Sequence, residues 1–257
     1  MTDKPLEGRL ALVTGASRGI GAATAISLAA KGAHVVLTAR TPGGLEEVET
    51  AIHDAGGSAT IAPLDLAESE AIGRLASAIG DRWDALDIMV LNAAMLGSLA
   101  AVPSIDPKEL AQVLTLNVSA QAAMIAAFDP MLKQAKSARV IGVTSSVGRT
   151  PRAFWGAYGA SKAAFETLLL AYGDEVSGIG GIRTAILDPG QLVEAHAAMA
   201  VRDARDKARV RPGQPAAQIQ YHEVVAQPVH LEEGQPGRMR MRHGRDIGRT
   251  DGFRQMG

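Results

Sequence analysis

From residue 9 to residue 187 the chain alternates between short, nearly continuous apolar runs and longer segments with apolar residues every three or four positions. The short runs are Leu10–Val13, His34–Ala39, Ala59–Pro63, Leu86–Leu91, Arg139–Thr144 and Ile182–Leu187. Runs of this length without polar alternation read as strands buried on both faces. The longer segments fall at 19–31, 44–55, 68–82, 107–134 and 157–177, are rich in alanine, and carry helix spacings such as Ala25, Leu28 and Ala29. Glycines at Gly32, Gly56 and Gly57 mark helix stops. Such strand–helix alternation predicts an α/β fold, a doubly wound parallel sheet with helices on both faces.

The pattern stops near residue 190. From Gln191 onward the chain carries 10 of its 19 arginines and 4 of its 6 histidines. Only Glu223–Leu231 resembles a strand, and Pro228 interrupts it. The stretch 201–215 reads as a short charged helix ending at Pro212, and 234–252 as loop or disorder. The expected organisation is therefore a regular domain over residues 1–190 and an atypical, irregular and poorly ordered tail over 191–257. Aspartates and glutamates interleave with the tail arginines, which reads as a solvated surface rather than a nucleic-acid patch.

Composition narrows the classes. With 257 residues and 47 % apolar content, a sizeable core is within reach. A net charge of −1 gives no global electrostatic reason to expect nucleic acid or anionic membrane as a partner. The absence of cysteine excludes disulfides, thiolate metal sites and cysteine nucleophiles. The N-terminus lacks a signal-peptide apolar region, and no apolar run is expected to approach the roughly 18 residues of a membrane span. A soluble cytoplasmic protein is the expectation.

Two groups of residues carry chemistry. The first strand leads into Thr14-Gly15-Ala16-Ser17-Arg18-Gly19-Ile20-Gly21 and then a helix. A glycine-rich strand-to-helix turn lets the backbone approach a pyrophosphate at the positive helix N-terminus. At the end of the second strand an acidic residue would bind a ribose 2′-hydroxyl, whereas an arginine would suit a 2′-phosphate. Arg40 stands there, with no carboxylate before Glu46, and Arg18 is a second candidate cation. Guanidinium forks suit phosphate oxygens, so NADP(H) is favoured over NAD(H). Asp65, followed by Leu66, closes the third strand, where its carboxylate either accepts from an adenine amino group or caps a helix. Asn92 and Ala93 close the fourth strand, at the carboxyl edge where open α/β sheets bind ligands.

The second group is Ser145, Tyr158 and Lys162. Tyr158 and Lys162 are four residues apart, on one helix face, and Ser145 lies thirteen residues before the tyrosine. An ammonium beside a phenol favours the phenolate and brings its proton exchange closer to neutral pH. A serine at a strand end nearby can hydrogen-bond the same substrate oxygen.

Taken in order, Thr14–Gly21, Asp65, Asn92-Ala93-Ala94, Asn117, Ser145, Tyr158-x-x-x-Lys162 and Pro189-Gly190 resemble the short-chain dehydrogenase/reductase family, over roughly residues 7 to 190. The resemblance implies a Rossmann-type fold, and cofactor contacts at Gly15, Ser17, Arg18, Gly19, Ile20, Gly21, Arg40, Asp65, Leu66, Asn92, Ala93, Tyr158, Lys162, Pro189 and Gly190. It implies Tyr158 as acid or base, Lys162 as the residue that lowers its pKa and holds the nicotinamide ribose, and Ser145 as the group that polarises the substrate oxygen. Asn117 would hold a water linking Lys162 to solvent. Two positions depart from the family pattern. Ala94 replaces a glycine, and Glu194 replaces a threonine, where a carboxylate would repel the pyrophosphate.

The expected activity is NADP(H)-dependent hydride transfer between nicotinamide and a carbonyl or alcohol, with a small-molecule substrate and a homodimer or homotetramer implied by the resemblance. Apolar neighbours Met95, Leu96, Ala153, Phe154 and Trp155 suit a hydrophobic carbonyl compound. The alternative is a dinucleotide-binding protein with little or no catalysis, for which Glu194 and the tail speak. Residues after about 190 are not expected to complete the usual fold.

Overall fold

The computed structural model describes residues 4–178 and 181–190. Six strands form one parallel sheet: β1 (Leu10–Thr14), β2 (His34–Thr38), β3 (Ser58–Ile61), β4 (Ile88–Leu91), β5 (Arg139–Val143) and β6 (Arg183–Leu187). They stand in the order β3-β2-β1-β4-β5-β6. The helices are α1 (Gly19–Ala30), α2 (Pro42–Asp54), α3 (Ser69–Gly80), α4 (Pro107–Leu114), α5 (Ala120–Gln134) and α6 (Gly156–Glu175). The doubly wound α/β fold expected from the pattern is the observed one.

Alternating side chains of each central strand explain why there are two helix layers. Leu10 and Leu12 of β1, with Met89 and Leu91 of β4, join the core beneath α3, α5 and α6. Ala11 and Val13, with Val35 and Leu37 of β2, face the opposite core beneath α1 and α2. In α2 the buried residues Leu45, Val48 and Ile52 recur at three- and four-residue spacings, as an amphipathic helix requires. Several element ends differ from the sequence reading by one or two residues, and two of them have a plain cause. β3 stops at Ile61, before Pro63, which has no N–H to give a ladder, and α2 starts at Pro42, a residue suited to the first helical turn.

The segment 107–134 departs further. It opens with Asp106, whose carboxylate accepts the Lys108 N–H at 3.0 Å, and runs through a π-helical turn at Thr115–Ser119 between α4 and α5. Contrary to expectation, Pro107–Gln134 is long and apolar enough, by length and composition, to cross a membrane. Its charged residues, Lys108, Glu109, Asp129 and Lys133, lie towards its two ends, and the polar residues between them, such as Asn117 and Gln121, are uncharged. Here Met124, Phe128 and Leu132 are buried in the sheet core with Ile72 and Leu75 of α3.

Strand order reverses beside β1, which pairs with β2 on one side and β4 on the other. Ligands of open α/β sheets bind at the carboxyl ends beside such a switch. At the other edge of the sheet, β6 leaves Arg183, Ala185 and Leu187 exposed among the described residues. The expectations for the tail, Glu194 included, lie outside the described residues.

Candidate functional site

The glycine turn is held by polar clamps from the strand ends. Thr14 Oγ1 donates to the Val90 carbonyl at 3.2 Å and accepts the N–H groups of Asn92 at 2.9 Å and Ala93 at 3.0 Å. The Asn92 amide donates to the Thr14 carbonyl at 2.9 Å and the Gly15 carbonyl at 3.2 Å. Asn92 therefore fixes the turn, the structural role its position at the strand end equally allowed. A Cβ at Gly15 would come within 2.9 Å of the Asn92 amide, and one at Gly21 would collide with the Gly15 carbonyl oxygen. Gly19, at φ +59°, has open space where its Cβ would be.

That open side offers donors that could take an anion. Arg18 caps α1 in extended conformation without a side-chain bond, and the first turn holds no acidic residue, so its N–H groups point out unneutralised. α2 likewise begins without a side-chain cap or an acid, and its Gly44 lies against Ser17, where a Cβ would meet the Ser17 carbonyl oxygen at 3.0 Å. Arg18 and Arg40 are exposed, and neither side chain makes a hydrogen bond or ion pair with any described residue. These donors fit a dinucleotide pyrophosphate and an added phosphate. Asp65 Oδ1 accepts the Ala67 N–H at 2.9 Å, closing a local turn, while the residue before α3 is Glu68. Asp65 is thus not the helix cap. Leu66 is buried in the core, which leaves only its backbone to face a ligand.

Ser145 follows β5 in extended conformation and opens a short 3₁₀ turn, Ser146–Gly148. Two glycines press this segment onto α6. A Cβ on Gly148 would stand 3.0 Å from the Ala163 nitrogen and 3.2 Å from Lys162 Cβ, and one on Gly159 would stand 2.9 Å from the Val147 carbonyl oxygen. Ser145 is 3 % exposed and Lys162 4 % exposed, so both are held where solvent hardly reaches. Lys162 Nζ donates to the Val143 carbonyl at 2.9 Å and lies 5.6 Å from the centre of the Tyr158 ring. Burial lowers the Lys162 pKa to about 8, against the opposing pull of Glu166. Its ammonium therefore gives way to the neutral amine as the pH rises through about 8. The Tyr158 ring meets Trp155 edge-on at 6.2 Å.

Asn117 sits at the centre of the π turn, 1 % exposed. Its Oδ1 accepts the Met95 N–H at 2.8 Å, while Nδ2 donates to the Met95 carbonyl at 2.8 Å and Ser161 Oγ at 3.0 Å. Both amide hydrogens are used, so the side chain locks the loop after β4 onto α6. Any link from Asn117 through water to Lys162 falls to its remaining acceptor positions.

Sequence reasoning missed Gln121, which donates to the Ala93 and Leu116 carbonyls at 3.0 Å each. Its signal was a glutamine in an apolar helix, one turn after Asn117. Phe154, 57 % exposed, takes φ +72°, a strained value for a bulky residue, and its carbonyl accepts the Ala100 N–H at 3.1 Å. Pro189 and Gly190 follow β6. The Gly190 N–H donates to Asp188 Oδ1 at 3.1 Å, at φ +72°.

The family model described as short chain dehydrogenase matches residues 9–206. An uncharacterized oxidoreductase of Escherichia coli K12, YciK, is 34 % identical over 72 % of this chain and 74 % of its own. A fatty acyl-CoA reductase of Acinetobacter baylyi is 36 % identical over 66 % of this chain, which spans 58 % of that relative. Among solved structures, a metagenomic short-chain oxidoreductase in complex with NADP superposes with TM-score 0.68 at 36 % identity, covering 72 % of this chain and 83 % of that one. The strand order and the glycine turn are those of a Rossmann-type dinucleotide-binding fold. The chain belongs to the short-chain dehydrogenase family.

Proposed function

We propose that this protein is an NADP(H)-dependent oxidoreductase interconverting a carbonyl compound and its alcohol. The observation that carries the reading is Lys162, buried, without a direct ion pair among the described residues, and placed one helical turn from Tyr158 beside the Ser145 segment. Burying an ammonium is costly, and a surface pair would not require it. In carbonyl reduction Tyr158 gives its phenolic proton to the substrate oxygen, and the Ser145 hydroxyl donates a hydrogen bond to the same oxygen. Lys162 stabilises the phenolate left behind. The nicotinamide, when bound, supplies or takes the hydride. Oxidation of the alcohol uses the same groups in reverse, with Tyr158 as base.

Support for the cofactor comes from the uncapped N-termini of α1 and α2 and from Arg18 and Arg40, whose side chains have no ion-pair partner among the described residues and which would hold the pyrophosphate and 2′-phosphate. Gly15, Ser17, Gly19, Ile20 and Gly21 would line the turn, and Asp65, Leu66, Asn92, Ala93, Pro189 and Gly190 the carboxyl edge. The structural relative bound to NADP supports the same preference. Met95, Trp155 and exposed Phe154 suit a hydrophobic carbonyl substrate.

The test is turnover on a panel of aldehydes, ketones and alcohols with NADPH and NADH compared, alongside titration of each nucleotide. Oxidation of NADPH by a carbonyl, at least about tenfold faster than of NADH, is expected. Tight NADPH binding with no turnover on any member would instead mark a binding protein without catalysis. Family membership further implies a small-molecule partner and a homodimer or homotetramer, which sedimentation would read.

A further inference from the structure

We propose that Glu166 is a positioning residue of this site, a buried carboxylate that fixes the segment carrying Ser145 and, together with Arg149, sets the protonation of Lys162. This rests on the reading of Tyr158 and Lys162 as a proton relay.

Glu166 lies one turn beyond Lys162 on α6 and is 8 % exposed. Its Oε1 accepts the Thr144 hydroxyl at 2.6 Å, the short distance of a charge-assisted bond, and Thr144 immediately precedes Ser145. The same oxygen lies 3.5 Å from Arg149 Nε. Arg149 Nη2 in turn reaches Asp188 Oδ2 at 2.8 Å, and Asp188 Oδ1 accepts the Gly190 N–H. A continuous chain of polar contacts thus joins the residue before Ser145, the face of α6 and the turn after β6.

A carboxylate so deeply buried is expensive to desolvate, and shape alone would be served by a neutral residue. What the charge adds is an effect on Lys162. Burial drives that ammonium towards the neutral amine, and Glu166 opposes it. Among the described residues, the charged or titratable groups in contact with the pair or its ion-pair chain include Tyr158 on the same helix, Arg149 from the turn after β5, and Asp188 from the end of β6. β5 itself contributes only the Val143 carbonyl. Arg149, on the exposed side, offsets Glu166, and Asp188 partly offsets Arg149. Removing the Glu166 charge therefore lowers the pH at which Lys162 loses its proton, while removing the Arg149 charge raises it.

The experiment uses the full chain with lysine labelled at ¹³Cε, and the Lys162 resonance assigned by its loss in Lys162→Met. Titration without cofactor gives the Lys162 midpoint in the parent, in Glu166→Gln, which keeps an acceptor for Thr144, and in Arg149→Gln, whose exposed side chain makes misfolding a minor risk. The midpoint is expected to fall by about one pH unit in Glu166→Gln and to rise by about half a unit in Arg149→Gln. The alkaline limb of kcat/KM is expected to move in the same two directions, with the acid plateau changed less than about threefold. Midpoints that stay within about 0.2 unit, or that move together in one direction, overturn the proposal, as does a uniform loss of activity with an unmoved limb. Opposite midpoint shifts in a protein without turnover would sustain the charge setting and refute the relay reading instead.

Discussion

The glycine turn after β1 and the α6 face bearing Tyr158 and Lys162 occupy the same edge of one sheet but are built in opposite ways. The turn is made of backbone: Gly15 and Gly21 pack against main-chain and Asn92 atoms, and the cations beside it, Arg18 and Arg40, are exposed. The α6 face is made of buried side chains, with Lys162, Ser161 and Glu166 each held by a named hydrogen bond. The difference follows from what each region handles. A pyrophosphate is already charged and needs N–H groups and open space. A proton relay needs charges kept from water, where their mutual effects are strong. Substitutions should accordingly act through sterics in the turn and through protonation on α6.

The largest effect is expected from Tyr158→Phe. Loss of the phenolic proton should lower kcat by about 10³-fold, with NADPH binding, measured by fluorescence titration, changed less than about threefold. A comparable loss of binding would mean that Tyr158 belongs functionally to the cofactor side, and the division between the two regions would fail. The mirror experiment is Gly21→Ala. A methyl there meets the Gly15 carbonyl oxygen, which is backbone and cannot step aside without moving the turn. Affinity for NADPH and NADH alike should fall by about a hundredfold, with a stability loss of about 1–3 kcal/mol by denaturant titration. Unchanged binding would show that the turn deforms freely and is not the cradle proposed.

Arg40→Ala is the next smaller effect and sharpens the electrostatic side of the turn. The Kd for NADPH should rise about tenfold while that for NADH stays within about twofold, the loss of one charge-assisted contact to a phosphate. Equal weakening of both cofactors would remove the reading that Arg40 recognises the added phosphate.

Both regions were legible in sequence, to different depths. All six strands and the helices stood out because continuous apolar runs and three- to four-residue spacings report burial directly. The turn was legible because its glycines are themselves the mechanism. On α6, the Tyr158–Lys162 pair showed through its spacing, but the partners that hold it did not. Glu166 looks like any polar residue of a helix until Thr144 and Arg149 are brought to it by β5 and the turn that follows. Asn117 and Gln121 act on the backbone of Met95 and Ala93, and a carbonyl partner leaves no mark in a string of side chains. The π turn at Thr115–Ser119 was equally hidden, since a single wider turn barely disturbs the period of a long helix.

Gly142 of β5 tests how closely the α6 side depends on packing. Its added Cβ would stand 2.5 Å from Leu169 Cδ2 and 2.7 Å from Phe165 Cζ, both fully buried on α6. These are side-chain ends, so the core can shift where the Gly15 carbonyl cannot. Gly142→Ala should therefore cost about 1–3 kcal/mol, seen as a Tm lower by about 3–6 °C. Because α6 moves outward from β5, the Lys162 Nζ contact with the Val143 carbonyl should lengthen and kcat fall a few-fold, while cofactor affinity stays within about twofold. A lowered Tm with kcat unchanged would show that Lys162 holds its place by its own hydrogen bond, independently of how tightly its helix is packed on the sheet.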